Sequence, residues 1–338
     1  MVRAESVDNL RALTRCCSRR DKRYTPGVKL VTYVYKKSER LGALRDDQVI
    51  DLNAAYPAIP PDMLGFLDGG EKLMAAARKV VASKERLPVL PLSCVRLLAP
   101  LPHPRALRDF FAFEDHAKAG AARRDEPLAS AWYDQPVYYK GNHREIYGPG
   151  DTIPWPSYTR KLDFEFEIAC VVGKKGRDLE PEQAGDFIAG YMIFNDWSAR
   201  DIQKNEMVCR MGPAKGKDFA NSFGPYLLTA DELPAPDGLE MTLRVNGEVW
   251  SSSGSGGQYW KFPLMLSHVS QCETVYPGDI LGSGTYHKGC GLDMDRWIKP
   301  GDEVALEIEK LGVLKNVVGK PQGDKHLKYS KETDVAHR

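Results

Sequence analysis

Lys161-Leu162-Asp163-Phe164-Glu165-Phe166-Glu167-Ile168 alternates acids with large apolar residues, the period-two pattern of a strand with one buried face. On such a strand Asp163, Glu165 and Glu167 share one face, and Leu162, Phe164, Phe166 and Ile168 pack on the other. Carboxylates two residues apart lie roughly 6.6 Å apart along a strand. At an effective dielectric of about 20, such a pair repels by about 2.5 kcal/mol, which a bound cation would cancel. A solvated edge strand, charged against edge-to-edge pairing, is the other reading. This stretch alone does not choose between them.

The 338 residues carry 47 basic and 46 acidic side chains, a net charge of +1, so no global field recruits nucleic acid or an acidic partner. Seven cysteines are scattered without a CxxC pair, which indicates neither a disulfide framework nor a zinc cluster. A reducing compartment, the cytoplasm, is expected. No apolar run approaches the ~18 residues of a membrane span, and no secretory core of ~7–15 apolar residues opens the chain. The first residues are Arg-rich, as in transit peptides, but Glu5, Asp8 and Asp21 favour a plain disordered extension over residues 1–27.

From residue 28 the β-formers of Lys29-Leu30-Val31-Thr32-Tyr33-Val34-Tyr35 predict a strand. Runs at 41–44 and 48–52 flank Arg45-Asp46-Asp47 as a hairpin. A helix is expected over 71–83, then a Pro-punctuated linker. These define a small β-rich domain over residues 28–98. A larger strand-rich domain covers 99–318, with a flexible Gly/Ser loop at 251–257, and a polar tail covers 319–338.

Tyr191-Met192-Ile193-Phe194 reads as a second buried strand, ended by Asn195-Asp196-Trp197. Ser198 then starts a helix with Asp201 in capping-box position. Asp196 at the strand tip is thus free for another task, and Glu165, Glu167 and Asp196 would form an all-oxygen set for a hard cation. Upstream, residues 109–118 are read as helical, with Phe113 and His116 on one face and Asp109 a turn earlier. Glu114 and Asp115 beside His116 would suit it as a general base.

Taken with Gln135-Pro136-Val137-Tyr138-Tyr139-Lys140-Gly141, Asn195-Asp196-Trp197-Ser198-Ala199-Arg200-Asp201-Ile202-Gln203, Gly216-Lys217-Asp218-Phe219 and Gly278-Asp279-Ile280-Leu281-Gly282-Ser283-Gly284-Thr285, these segments resemble the fumarylacetoacetate hydrolase family. They occur in family order across about 180 residues. The resemblance implies an α+β, mainly β fold: a small SH3-like β-rich N-terminal domain and a mixed β-sandwich roll carrying the site, as a homodimer. It implies Asp109, Glu165, Glu167 and Asp196 as ligands of Mg2+ or Ca2+, with Mn2+ a further candidate. His116 falls on the water-activating base, Lys217 and Gln203 on oxyanion donors, and Arg200 beside them on the substrate's carbonyl oxygens. Tyr139 falls on a substrate contact and Thr285 on a loop threonine that binds the substrate carboxylate.

Departures are visible. Met207 stands where the family's hydrolase has a tyrosine, and Ala220-Asn221 replace a small Gly-Thr pair. The arginine beyond the histidine has Arg123 and Arg124 as its nearest counterparts. No glutamate follows Thr285 to orient His116, which leaves Glu114 as the substitute. Two glycines in Gly284-Thr285-Tyr286-His287-Lys288-Gly289 mimic a P-loop, but Cys290-Gly291 follow where Lys-Ser/Thr is required. His287 suits a substrate contact better than a hard-cation site.

The implied function is metal-dependent hydrolysis of the C–C bond of a β-diketo acid, an acylpyruvate or a fumarylacetoacetate-like keto acid, in aromatic or sugar-acid catabolism. The same site would also serve an oxaloacetate-type decarboxylase or a 2-oxo-enoate hydratase or isomerase. A non-catalytic, metal-stabilised binding protein is the reading from a different class.

Overall fold

A computed structural model describes residues 27–323. The expected N-terminal extension falls outside these residues but for Gly27, as does most of the expected tail. The alternating stretch is not one strand. Leu162–Asp163 pairs with Ser198–Ala199, the ladder breaks at Phe164 and Glu165, and Phe166–Val172 follows as a separate strand. Nor is it half-exposed: every residue from Leu162 to Val172 is buried. The alternative of a solvated edge strand is excluded because Phe166–Val172 lies inside the sheet, between Ile188–Asp196 and Asp279–Gly282.

That sheet has twelve strands. Its path runs Val89–Pro91, Gln48–Asp51, Ser38–Arg45, Lys29–Tyr35, Asn221–Thr229, Ile188–Asp196, Phe166–Val172, Asp279–Gly282, Ala106–Phe110 and Tyr138–Lys140. The N-terminal hairpin forms as its turn chemistry predicts, with Asp46 at φ 53°. Lys29–Tyr35 also pairs with Asn221–Thr229, so the small N-terminal β region continues the same sheet.

Both faces of the sheet are covered. On one face Phe166, Ile168 and Cys170 join Leu243, Leu306 and Leu314. These last come from a five-stranded sheet ordered Glu248–Gly254, Glu240–Val245, Glu303–Ile308, Gly312–Pro321 and Thr152–Trp155. On the other face Ala169, Val171, Met192 and Phe194 join Leu41, Phe66 and Met74. Here the helix Gly70–Ala82, close to the expected 71–83, buries Leu73, Met74 and Ala77.

Two further expectations are revised. Residues 251–254 belong to the strand Glu248–Gly254, paired with Glu240–Val245; cross-strand pairing overrides the weak β-propensity of Ser and Gly. Gly312–Pro321 extends the ordered ladder into the segment assigned to the tail. The whole is a mainly-β α+β fold. It sets the ends of Ala106–Phe110, Phe166–Val172, Ile188–Asp196 and Asp279–Gly282 side by side.

Candidate active site

Four carboxylates converge at those strand ends. Asp109 lies near the end of its strand and Asp196 at the end of its own; Glu167 begins Phe166–Val172 as its second residue, and Glu165 sits in the break before it. The helical reading of 109–116 is therefore corrected: Asp109 is on a strand, and the helix Glu114–Ala122 begins after Phe113. All four acids are buried, and one oxygen from each lies within 4.8 Å of the others. Gly282 pairs with both Asp109 and Ala169. A Cβ there would fall 2.3 Å from Asp109 Oδ1, so the bare backbone is what admits the aspartate. The Gly284 N–H donates to Glu167 Oε2 at 2.8 Å and to Asp109 Oδ1 at 3.2 Å.

The cluster is short of positive charge. Burial raises Asp109 to about 6. Burial, with the charges of Asp109 and Asp196, holds Glu167 well above the usual carboxylate range. Asp196 is also raised, because burial and the neighbouring Asp109 and Glu165 outweigh Lys217. Glu165 differs: burial raises it, but Lys217 and Arg200 together hold it well below the usual range. Glu167 Oε1 and Asp196 Oδ1 are buried without a hydrogen-bond partner, although such groups are normally satisfied. An all-oxygen cluster with orphaned lone pairs fits a hard divalent cation, held by Asp109, Glu165, Glu167 and Asp196.

Around the acids stand the polar groups expected from the sequence. Lys217 Nζ lies 2.5 Å from Glu165 Oε2 and also contacts Asp196 Oδ2. The Tyr139 hydroxyl donates to Asp196 Oδ2 at 2.8 Å. Arg200 reaches Glu165 Oε1 through Nη2 at 2.9 Å, and its Nη1 donates to Gln203 Oε1 at 3.0 Å. The expected capping box is absent. Ser198 sits in a strand and donates to the Asp196 carbonyl, while Asp201 accepts from the Arg160 N–H. The helix Arg200–Val208 starts without a side-chain cap. The Thr285 hydroxyl is buried and donates to the Phe166 carbonyl at 2.9 Å, so it braces the Glu165–Glu167 backbone. Met207 is half-exposed on the outer part of its helix.

His116 Nδ1 lies 2.8 Å from Asp293 Oδ2. Burial would raise Asp293, yet the hydrogen bond and charge of His116, the Lys288 N–H and Arg123 hold it far below its usual value. An ionised Asp293 can only accept, so Nδ1 carries the hydrogen of this bond, which leaves Nε2 as the ring nitrogen not engaged by Asp293. Glu114 does not take this role: it accepts from the Tyr133 hydroxyl at 2.6 Å and pairs with Lys118 at 2.8 Å. The acid that orients His116 is Asp293, shorter than the glutamate the resemblance implies, on the single helical turn Gly291–Met294. Arg123 Nη1 holds the other Asp293 oxygen at 2.7 Å. His287 Nδ1 approaches Asp293 to 3.5 Å, on the His116 side. Cys290 adjoins His116 and Asp293. Both Asp293 oxygens are already engaged, and burial pushes the thiol well up, so this trio is a hydrogen-bonded dyad with a neutral thiol.

A buried carboxylate cage stands beside a histidine–aspartate dyad at the strand ends of a mainly-β fold, an arrangement that fits a metal-assisted active site. The chain belongs to the fumarylacetoacetate hydrolase family: the model described as fumarylacetoacetate (FAA) hydrolase C-terminal matches residues 105–319. It is 36% identical over 276 residues to the mitochondrial oxaloacetate tautomerase Fahd2a of Rattus norvegicus, covering 80% of this chain and 83% of that protein. Oxaloacetate tautomerase YisK of Bacillus subtilis is 29% identical over 291 residues, covering 81% and 94%. The solved fumarylacetoacetate hydrolase of Exiguobacterium antarcticum matches with a TM-score of 0.71 at 28% identity, covering 86% of this chain and 99% of that one. Among the described residues no helix is long and apolar enough to cross a membrane.

Proposed function

We propose that this protein is a divalent-cation-dependent tautomerase that interconverts the keto and enol forms of oxaloacetate or a close 2-oxo dicarboxylate. The isomerase alternative thus takes precedence over C–C bond hydrolysis. The observation that carries it is the polarised His116–Asp293 dyad beside the four-carboxylate cage, which contains all that proton transfer between adjacent atoms needs. The names of the relatives at 36% and 29% identity support it. A cation in the cage would polarise the 2-oxo group and stabilise negative charge developing on its oxygen.

His116 Nε2 takes the proton from C3, the C–H electrons form the C2=C3 bond, and the same imidazole returns the proton to the C2 oxygen. Asp293 stabilises the imidazolium formed between these steps. Lys217 holds the developing oxyanion: burial lowers it, but Asp196 and Glu165 keep it above its usual value, so it stays an ammonium and donates hydrogen bonds. No attacking water is required.

The test follows oxaloacetate enol absorbance with Mg2+, Mn2+ and Ca2+, alongside pyruvate release from oxaloacetate and from acylpyruvates. Enol interconversion without pyruvate supports the tautomerase. Faster pyruvate release from acylpyruvates restores the hydrolase, and release from oxaloacetate indicates the decarboxylase. A protein that binds no divalent ion and turns over none of these is the binding-protein reading.

A further inference from the structure

The geometry points to Asp163 as the positioning residue that joins the two sides of the active site. Of the three acids in the alternating stretch it alone stands outside the carboxylate cage, yet it is 1% exposed. Its Oδ1 accepts from Phe164 N at 2.9 Å and Gly291 N at 2.8 Å. Its Oδ2 accepts from Arg200 Nε at 2.7 Å and Leu292 N at 3.0 Å. Four donors saturate one carboxylate.

Three of those donors belong to segments that carry function. Fixed through Nε, Arg200 presents Nη2 to Glu165, a member of the cage. Gly291 and Leu292 open the turn Gly291–Met294, whose Asp293 accepts from His116. Gly291 makes the approach possible: a Cβ there would lie 2.6 Å from Asp163 Oδ1 and 2.2 Å from the Arg296 carbonyl. One buried anion thus sets both where Arg200 stands beside the cage and where Asp293 stands beneath His116. An asparagine of the same size cannot replace it, because whichever way it turns its NH2 faces another N–H donor. The inference rests on the tautomerase reading only where it predicts turnover; the placement is read without substrate.

The experiment compares Asp163→Asn in the full chain with Asp51→Asn, a control that breaks the buried hydrogen bonds of Asp51 with Arg40 and Tyr33 in the N-terminal region. Proton NMR of the substrate-free protein follows the downfield Nδ1–H resonance of His116, and enol absorbance gives kcat and KM. Asp163→Asn is expected to displace or abolish the resonance and to lower kcat about 10- to 100-fold, the range for partners behind a functional group. Asp51→Asn is expected to lower the thermal midpoint and leave resonance and kcat unchanged. A folded Asp163→Asn protein with the parental resonance and kcat overturns the proposal. Should that variant not fold, Gly291→Ala crowds the same oxygen and must produce the same two changes, or the proposal fails. Absence of oxaloacetate turnover in the parent protein would sink the functional reading, while the resonance still decides the role of Asp163.

Discussion

Replacing Lys217 with methionine tests whether the ammonium and a divalent ion serve the same carboxylates. Nζ lies 2.5 Å from Glu165 Oε2, also contacts Asp196, and the side chain is 3% exposed. Methionine keeps most of the volume and removes the charge. Without metal, deleting one partner of a buried ion pair costs roughly 3–5 kcal/mol, because among the described residues Arg200 is then the one cation left in contact with Glu165 and none is left on Asp196. A saturating ion at a hundred times its dissociation constant stabilises the parent protein by about 2.7 kcal/mol. In the variant it should stabilise more, since it no longer shares Glu165 and Asp196 with an ammonium. Urea unfolding followed by tryptophan fluorescence, in chelator and in excess Mg2+, reads both quantities. The expected loss of about 3–5 kcal/mol in chelator shrinks to below about 2 kcal/mol with Mg2+. An equal loss in both conditions refutes the shared-carboxylate reasoning. A loss under about 1 kcal/mol in chelator would show that the acids are neutralised by protons instead.

The same cage predicts a pH dependence. Asp109 is held at about 6 against 3.8 in the open chain, so the metal-free native state binds a proton that the unfolded chain has released. That stabilisation is complete below the unfolded value and is lost as pH rises through about 6. Thermal midpoints in chelator should fall between pH about 4 and about 7 and flatten with Mg2+; a rising midpoint in chelator contradicts the reading. Gly282→Ala places a methyl against Asp109 Oδ1 and should weaken Mn2+ affinity about 10- to 100-fold by calorimetry. Unchanged affinity would remove Asp109 from the ligand set. Asp293→Asn removes the charge beneath His116 and should lower kcat at least about tenfold with little change in KM. An equal rise in KM would mean that Asp293 contacts substrate.

Three members of the carboxylate cage, Glu165, Glu167 and Asp196, are legible because they sit where strands end, and period-two spacing with the following Asn-Asp-Trp marks those ends in the chain; Asp109, in a segment that reads as helix, enters only through the family resemblance. Charge alternation also concealed something. It leaves a wet edge strand open as a second reading, whereas both faces of Phe166–Val172 are covered by elements far away in sequence. Nothing in the local pattern marks out Asp163, because two of its partners, Gly291 and Leu292, lie more than a hundred residues downstream. Asp293 was hidden for the same reason: its bond to His116 spans 177 positions, and local pattern carries no trace of such a contact. Glu114 was suggested by adjacency, but in the first turn of a helix a neighbouring residue points around the axis, away from the imidazole. Ser251–Gly254 looked like a loop because composition reports propensity and not the partner strand that overrides it.

The pairing of Lys29 and Leu30 with Leu228 and Leu227 has a consequence for any shortened form of the protein. Asn221–Thr229 lies next to the strand that ends in Asp196, and Lys29–Tyr35 covers its flank. Removing residues up to 98 would bare the backbone N–H and C=O groups of the segment 227–229, an edge on which a second molecule can pair. The small N-terminal region would then reveal itself first as a guard against self-association, through light scattering before any change in turnover.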